Sequence, residues 1–113
     1  MKSLFFLLFI AVLGFSSCKK RPVPAEVPAC LNDRIHAFDS TYNCDQSKVD
    51  QYIFQNETVY LFDPGVCGWA DMTSEVVSQD CRTLGYLGGI AGLSTINGED
   101  FSHATFVKNV WHK

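Results

Sequence analysis

Beyond residue 27 this chain is poor in positive charge. Residues 28–113 hold five basic side chains (Arg34, Lys48, Arg82, Lys108 and Lys113) against eleven acidic ones, a net of −6. A protein that grips a phosphate backbone needs a basic patch, so nucleic acid is excluded as a partner. Metal-ligand patterns are also missing. His36, His103 and His112 are scattered and form neither His-x-x-x-His nor His-Glu-x-x-His. Cys30, Cys44, Cys67 and Cys81 are separated by 13, 22 and 13 residues, with no Cys-x-x-Cys knuckle. The acidic residues do not follow the spacing of a calcium loop. Gly85, Gly88, Gly89 and Gly92 do not have the spacing of a dinucleotide fingerprint. Ser102 and His103 are adjacent, but no nucleophile elbow surrounds either. The expectation is therefore a non-enzyme without metal or cofactor.

What the sequence does have is concentrated at its start. Lys2 supplies a positive charge, Leu4 to Phe15 is apolar apart from Gly14, and the small residues Ser16 and Ser17 lead into Cys18. The order is that of a secretion signal. The run is too short to cross a bilayer, which takes about 20 apolar residues. Its end resembles the lipobox of bacterial lipoproteins, with Phe15 and Ser17 at positions where that motif usually has Leu and Gly or Ala. The resemblance implies that residues 1–17 are a lipoprotein signal peptide and that Cys18 is acylated, anchoring the protein to membrane. Lys19, Lys20 and Arg21 would then lie where anionic headgroups attract them. Pro22 and Pro24 favour extended geometry, so residues 18–27 read as anchor and flexible tether.

Five cysteines are an awkward number in an oxidising compartment. Assigning Cys18 to lipid leaves four that can pair completely. Residues 28–113 make one small domain, too small to be secure on its core alone, and two disulfides are expected to staple it. Two pairings stand open: Cys44–Cys67 with Cys30–Cys81, or the local pairs Cys30–Cys44 and Cys67–Cys81.

Pro28 suits a first helical turn, and Leu31, Ile35 and Phe38 share one helical stripe. Val49–Phe54 and Thr58–Phe62 are rich in β-branched and aromatic residues and read as a hairpin turning at Asn56-Glu57. One hairpin face carries Tyr52, Phe54, Val59 and Leu61, the other Ile53 and Tyr60. The first helix should cover one face, and Ile90 and Trp111 the other. Cys67 to Cys81 reads as a polar loop with a helical turn near Ser74–Val77. Asn97-Gly98 is a turn, and Asp100–Trp111 reads as a second amphipathic or irregular segment. The expected class is α+β: a single domain with an N-terminal helix, a hairpin or small antiparallel sheet, and a loop-rich C-terminal part.

The order of features from Pro28 to Trp111 resembles an uncharacterised family of small lipoprotein domains of Gram-negative bacteria. The features are a Pro-x-Cys-Leu opening, Thr58-Val59-Tyr60, a Pro-x-x-Cys segment from Pro64 to Cys67, Cys81, Gly88-Gly89-Ile90, Asn97-Gly98 and a closing Trp111. The resemblance implies an exported protein with no assigned activity. Lys19 after the cysteine, rather than the Asp of inner-membrane retention, directs the expectation to the outer membrane. The expected role is that of a lipid-anchored, non-catalytic interaction or structural protein of the cell envelope, with an envelope protein as partner. Gly65-Val66-Cys67-Gly68 is also similar to a segment of Kazal-type protease inhibitors, a family with six cysteines. That likeness implies an alternative, an inhibitor presenting the 64–80 loop through Pro64, Gly65, Val66, Gly68 and Trp69.

Overall fold

A computed structural model describes residues 27–42, 44–65 and 72–113. The signal, Cys18 and the tether lie outside them, apart from Val27.

The apolar stripe forms the expected helix, α1 (Ala29–Thr41). Pro28 sits just before it, and its carbonyl accepts from the Leu31 and Asn32 amides at 2.9 and 3.2 Å. The helix runs further than the sequence suggests. Ser40 and Thr41 hydroxyls donate to the His36 and Ala37 carbonyls one turn back, so residues with a preference for loops are held in the last turn.

The hairpin consists of β1 (Lys48–Phe54) and β2 (Glu57–Asp63). It turns at Gln55-Asn56, one residue earlier than expected. Both residues have positive φ, 52° and 62°, as a two-residue type I′ turn requires. Phe54 therefore faces Glu57 and Tyr52 faces Val59. The register differs from the expected one by two residues, and because side chains alternate with a period of two, every residue keeps its face.

Three further elements correct the sequence reading. The stretch expected to hold a helical turn is a strand, β3 (Thr73–Ser78), paired with β2. The glycine-rich run supplies β4 (Thr83–Gly88). The segment expected as a second helix is a single 3-10 turn, Phe101–His103, followed by β7 (Thr105–His112). Between them lies a small hairpin of β5 (Thr95–Ile96) and β6 (Glu99–Asp100), turning at Asn97-Gly98 as expected. The main sheet has the order β4-β3-β2-β1-β7 and every pairing is antiparallel. The described part is thus one helix on an antiparallel sheet.

Because β4 and β7 occupy opposite edges, the chain between them must cross one face of the sheet. That crossing determines how the faces are covered. Helix α1 packs Leu31, Ile35 and Phe38 on one face, against Val49, Tyr60, Phe62, Val77, Val110 and Trp111. Phe38 meets Phe62 and Trp111 edge to face at centroid distances of 5.3 and 6.1 Å. The crossing segment covers the other face with Ile96 and Phe101, over Phe54, Val59 and Val76. Phe101 reaches Tyr52 and Phe54 at 5.2 and 5.1 Å. Gly85 leaves room for the buried Ile96: a Cβ there would lie 2.8 Å from the Ile96 Cδ1, which would have to shift.

Covering the second face was expected of Ile90 and Trp111, and neither does it. Trp111 belongs to the helix side, and Ile90 is 83% exposed in the turn after β4. Ile53, expected to be buried, is 40% exposed, whereas Phe54 is 3% exposed.

Cys30 and Cys81 form a disulfide with an S–S distance of 2.07 Å. It fastens the start of α1 to the β3–β4 turn and excludes the local pairing, both of whose bonds would need one of these cysteines. Cys44 is buried and is also half of a disulfide. Cys67, its expected partner, lies outside the described residues.

Candidate interaction surface

The residues proposed from sequence for a partner-binding loop divide into two groups. Val66, Gly68 and Trp69 lie outside the described residues. Pro64 and Gly65 are built into the fold. Pro64 is buried, and its carbonyl accepts the Ser47 hydroxyl at 2.6 Å. Gly65 has φ 78°, its amide donates to Asp63 Oδ1 at 2.9 Å, and a Cβ on it would lie 2.3 Å from the Asp45 carbonyl oxygen. Glycine is needed there for both conformation and space. Farther on, Thr73–Ser78 is an interior strand, so the stretch from Pro64 to Asp80 is not one presented loop.

An exposed apolar surface lies on the sheet face opposite α1. The crossing segment covers that face only in part. Tyr52, Leu61, Leu87, Leu93, Phe101 and Ala104 line a shallow, open hollow of about 440 Å³, with Ser94, Asp100 and Ser102 at its rim. Phe106 stacks edge to face on Tyr52 at 5.6 Å and is 55% exposed beside it. Leu93 is about half exposed. Contiguous exposure of this kind on a small domain marks a surface suited to an apolar partner. Nothing in the sequence singled out this hollow, because its residues come from seven separate elements and connections.

The rim is ordered by local hydrogen bonds. Asp100 Oδ1 accepts from the Ser102 amide at 2.8 Å, and this bond holds the Asp100 carboxyl below its usual range. At the hollow's floor, burial raises the Tyr52 phenol, and the nearby Asp50 carboxylate adds to the effect. Asp50 is itself buried at the β1–β7 register shift. It accepts from Asn109 Nδ2 at 2.9 Å and faces Lys48 Nζ at 3.5 Å.

A second, polar hollow lies at the end of the sheet where α1 begins. It is lined by Asn56, Glu57, Thr58, Ser78, Gln79, Asp80 and Arg82 and also measures about 440 Å³. The Ser78 hydroxyl donates to Asp80, which lowers the Asp80 carboxyl. On the helix side, Arg34 Nη2 bridges to Glu75 Oε2 at 2.7 Å and to Thr83 Oγ1 at 3.3 Å, so the lone acidic residue of β3 faces a cation. Among the described residues no group of three or more His, Cys, Asp or Glu is arranged to hold a metal. No helix among them is long and apolar enough to cross a membrane.

A family described only as a domain of unknown function, DUF6970, matches residues 37–113. The chain belongs to this family. The matched stretch contains the whole sheet, both hollows and the last turn of α1. Cys30, Leu31, Arg34 and Ile35, which dock the helix, precede it. No curated protein and no solved structure matches the chain.

Proposed function

We propose that this DUF6970 protein is a lipid-anchored cell-envelope domain that works by binding rather than by catalysis. Cys18 carries the acyl anchor, residues 18–27 are the tether, and the outer membrane of a Gram-negative bacterium is the location. The observation that carries export is the Cys30–Cys81 disulfide, which joins residues 51 apart and belongs to an oxidising compartment. A cysteine after an apolar leader then gives the exported chain its route to the membrane. The face opposite α1 supplies the binding surface, with Leu93 and Phe106 open to an apolar segment of an envelope protein.

Two experiments test this. Labelled palmitate should appear on the wild-type protein and be absent from Cys18→Ala, which should leave the membrane fraction. Labelling of Cys18→Ala at the wild-type level overturns the anchor. Envelope protein captured on the acylated domain should be lost with Leu93→Ser and Phe106→Ser, whose exposure leaves the fold intact. Unchanged capture moves the binding surface elsewhere.

A further inference from the structure

The two edges of the main sheet are unequal. At the β4 edge the chain turns back on itself: Gly88 exchanges both backbone hydrogen bonds with Leu93, at 2.7 and 3.0 Å, which caps the end of that strand. Strand β7 forms the other edge and pairs only with β1. Its first three residues, Thr105, Phe106 and Val107, are all exposed, Phe106 by 55% and Val107 by 44%. Among the described residues no backbone hydrogen bond joins these three to anything outside the sheet. Val107 is the extra residue at the register shift opposite Gln51 and Tyr52, so it has no partner on β1 either. Natural edge strands are blunted by proline or by an outward charge. Ala104 to Val107 contains neither. A bulge also bends an edge, and here the residue it leaves out is an exposed valine rather than a lysine. The next residue, Lys108, pairs with Gln51, and its charge acts on Tyr60 on the helix side.

We propose that the apolar partner segment binds as a strand, adding to the outer edge of β7 at Thr105–Val107 and becoming the sixth strand of the sheet. The inference rests on the binding surface proposed above and states the form its partner takes. A row of backbone N–H and C=O groups is matched in full only by another extended chain. A helix or a lipid surface laid over the same place would cover the side chains and leave those groups unmatched. An added strand would set one side chain about 5 Å from Phe106, on the face that carries the hollow. Phe106 would then be held between that residue and Tyr52, whose ring lies 5.6 Å away. The segment is therefore extended, free of proline, and has β-branched or aromatic residues at alternate positions. A second copy of this chain is a poorer occupant. Residues 28–113 carry five basic and eleven acidic side chains on each copy, and like net charge keeps such domains apart.

The test uses the full acylated protein in detergent. Random octapeptides are selected for binding to it, and those whose binding is lost with Phe106→Ser are kept. The best of them is remade with N-methyl groups on its odd residues in one version and on its even residues in another. In an added strand only alternate N–H groups face the sheet. One version should therefore bind at least about ten-fold more weakly than the parent peptide and the other should match it, since several hydrogen bonds are removed in one case and none in the other. Amide hydrogen exchange at residues 105–107 should slow several-fold when the parent peptide binds. Equal binding by the two versions, or unchanged exchange at 105–107, overturns strand addition and leaves the apolar surface standing. If no peptide is found whose binding depends on Phe106, the surface itself fails and strand addition with it. Protection of 105–107 before any peptide is added, in a particle of dimer mass, assigns the edge to a second copy and overturns the partner strand.

Discussion

At the scale of single residues, neighbours on one strand differ sharply in what they support. Phe54 is enclosed by Phe101, Val59 and Ile96, whereas Ile53 projects from the opposite face near the end of the helix-covered side. Phe54→Ala should cost about 3–5 kcal/mol and Ile53→Ala less than about 1 kcal/mol, read from denaturant midpoints with unchanged slopes. Gly65→Ala combines a positive φ with a collision against the Asp45 carbonyl, so it should cost at least about 2 kcal/mol although it removes no contact. Four titrating groups contribute at the two ends of the pH range. Asp80 and Asp100 have lowered carboxyl values in the fold. Their contribution is present above the unfolded carboxylate value of about 4 and is lost as pH falls through the folded values. Tyr52 and Tyr60 are raised, chiefly by burial. Their contribution is complete below about pH 10 and disappears as pH rises through the folded values. Melting temperature should therefore decline on both flanks, and phenolate absorbance should show tyrosines titrating later than a free one. A shallower acid flank in the Asp80→Asn, Asp100→Asn double variant checks the assignment.

At the scale of elements, the joint between α1 and the sheet is the Cys30–Cys81 bond together with the Leu31, Ile35 and Phe38 stripe. Replacing both cysteines with serine should cost about 4 kcal/mol, as expected for a cross-link closing a loop of this size. Peptide mapping without reductant should recover Cys30 joined to Cys81. The stripe and the hairpin were legible in the sequence because each follows a local period, 3.6 or 2, that needs no knowledge of the rest of the fold. Strand β3 was not. Its Thr-Ser-Glu-Val-Val-Ser run has no apolar alternation, since Glu75 is satisfied by Arg34 from 41 residues away. Strand β7 was misread for a related reason. Register shifts at Val49/Asp50 and Gln51/Tyr52 break its alternation, and the remaining spacing of Phe101, Ala104, Val107 and Trp111 imitates a helical face. The apolar hollow was invisible because the crossing of the sheet assembles it, and no run of residues encodes that crossing.

At the scale of the whole molecule, β1 lies between β2, joined to it by two residues, and β7, which enters the sheet from the far end of the chain. Asp50 pairs with Leu61 and also with Asn109, and the Lys113 amide donates to the Ser47 carbonyl at 2.9 Å. One side of the strand can thus form early and the other only late. During synthesis the hairpin, β3 and β4 emerge while the outer edge of β1 still has no neighbour, and Asp50 still lacks Asn109. A chain cut before Thr105 should remain susceptible to protease and keep Cys30 and Cys81 open to thiol reagents. The full chain should become resistant in a single step. On the export route proposed above, this order of assembly would act as a timer: completion waits for Thr105–His112, so a chain threaded unfolded through a membrane closes its sheet on the far side and not before.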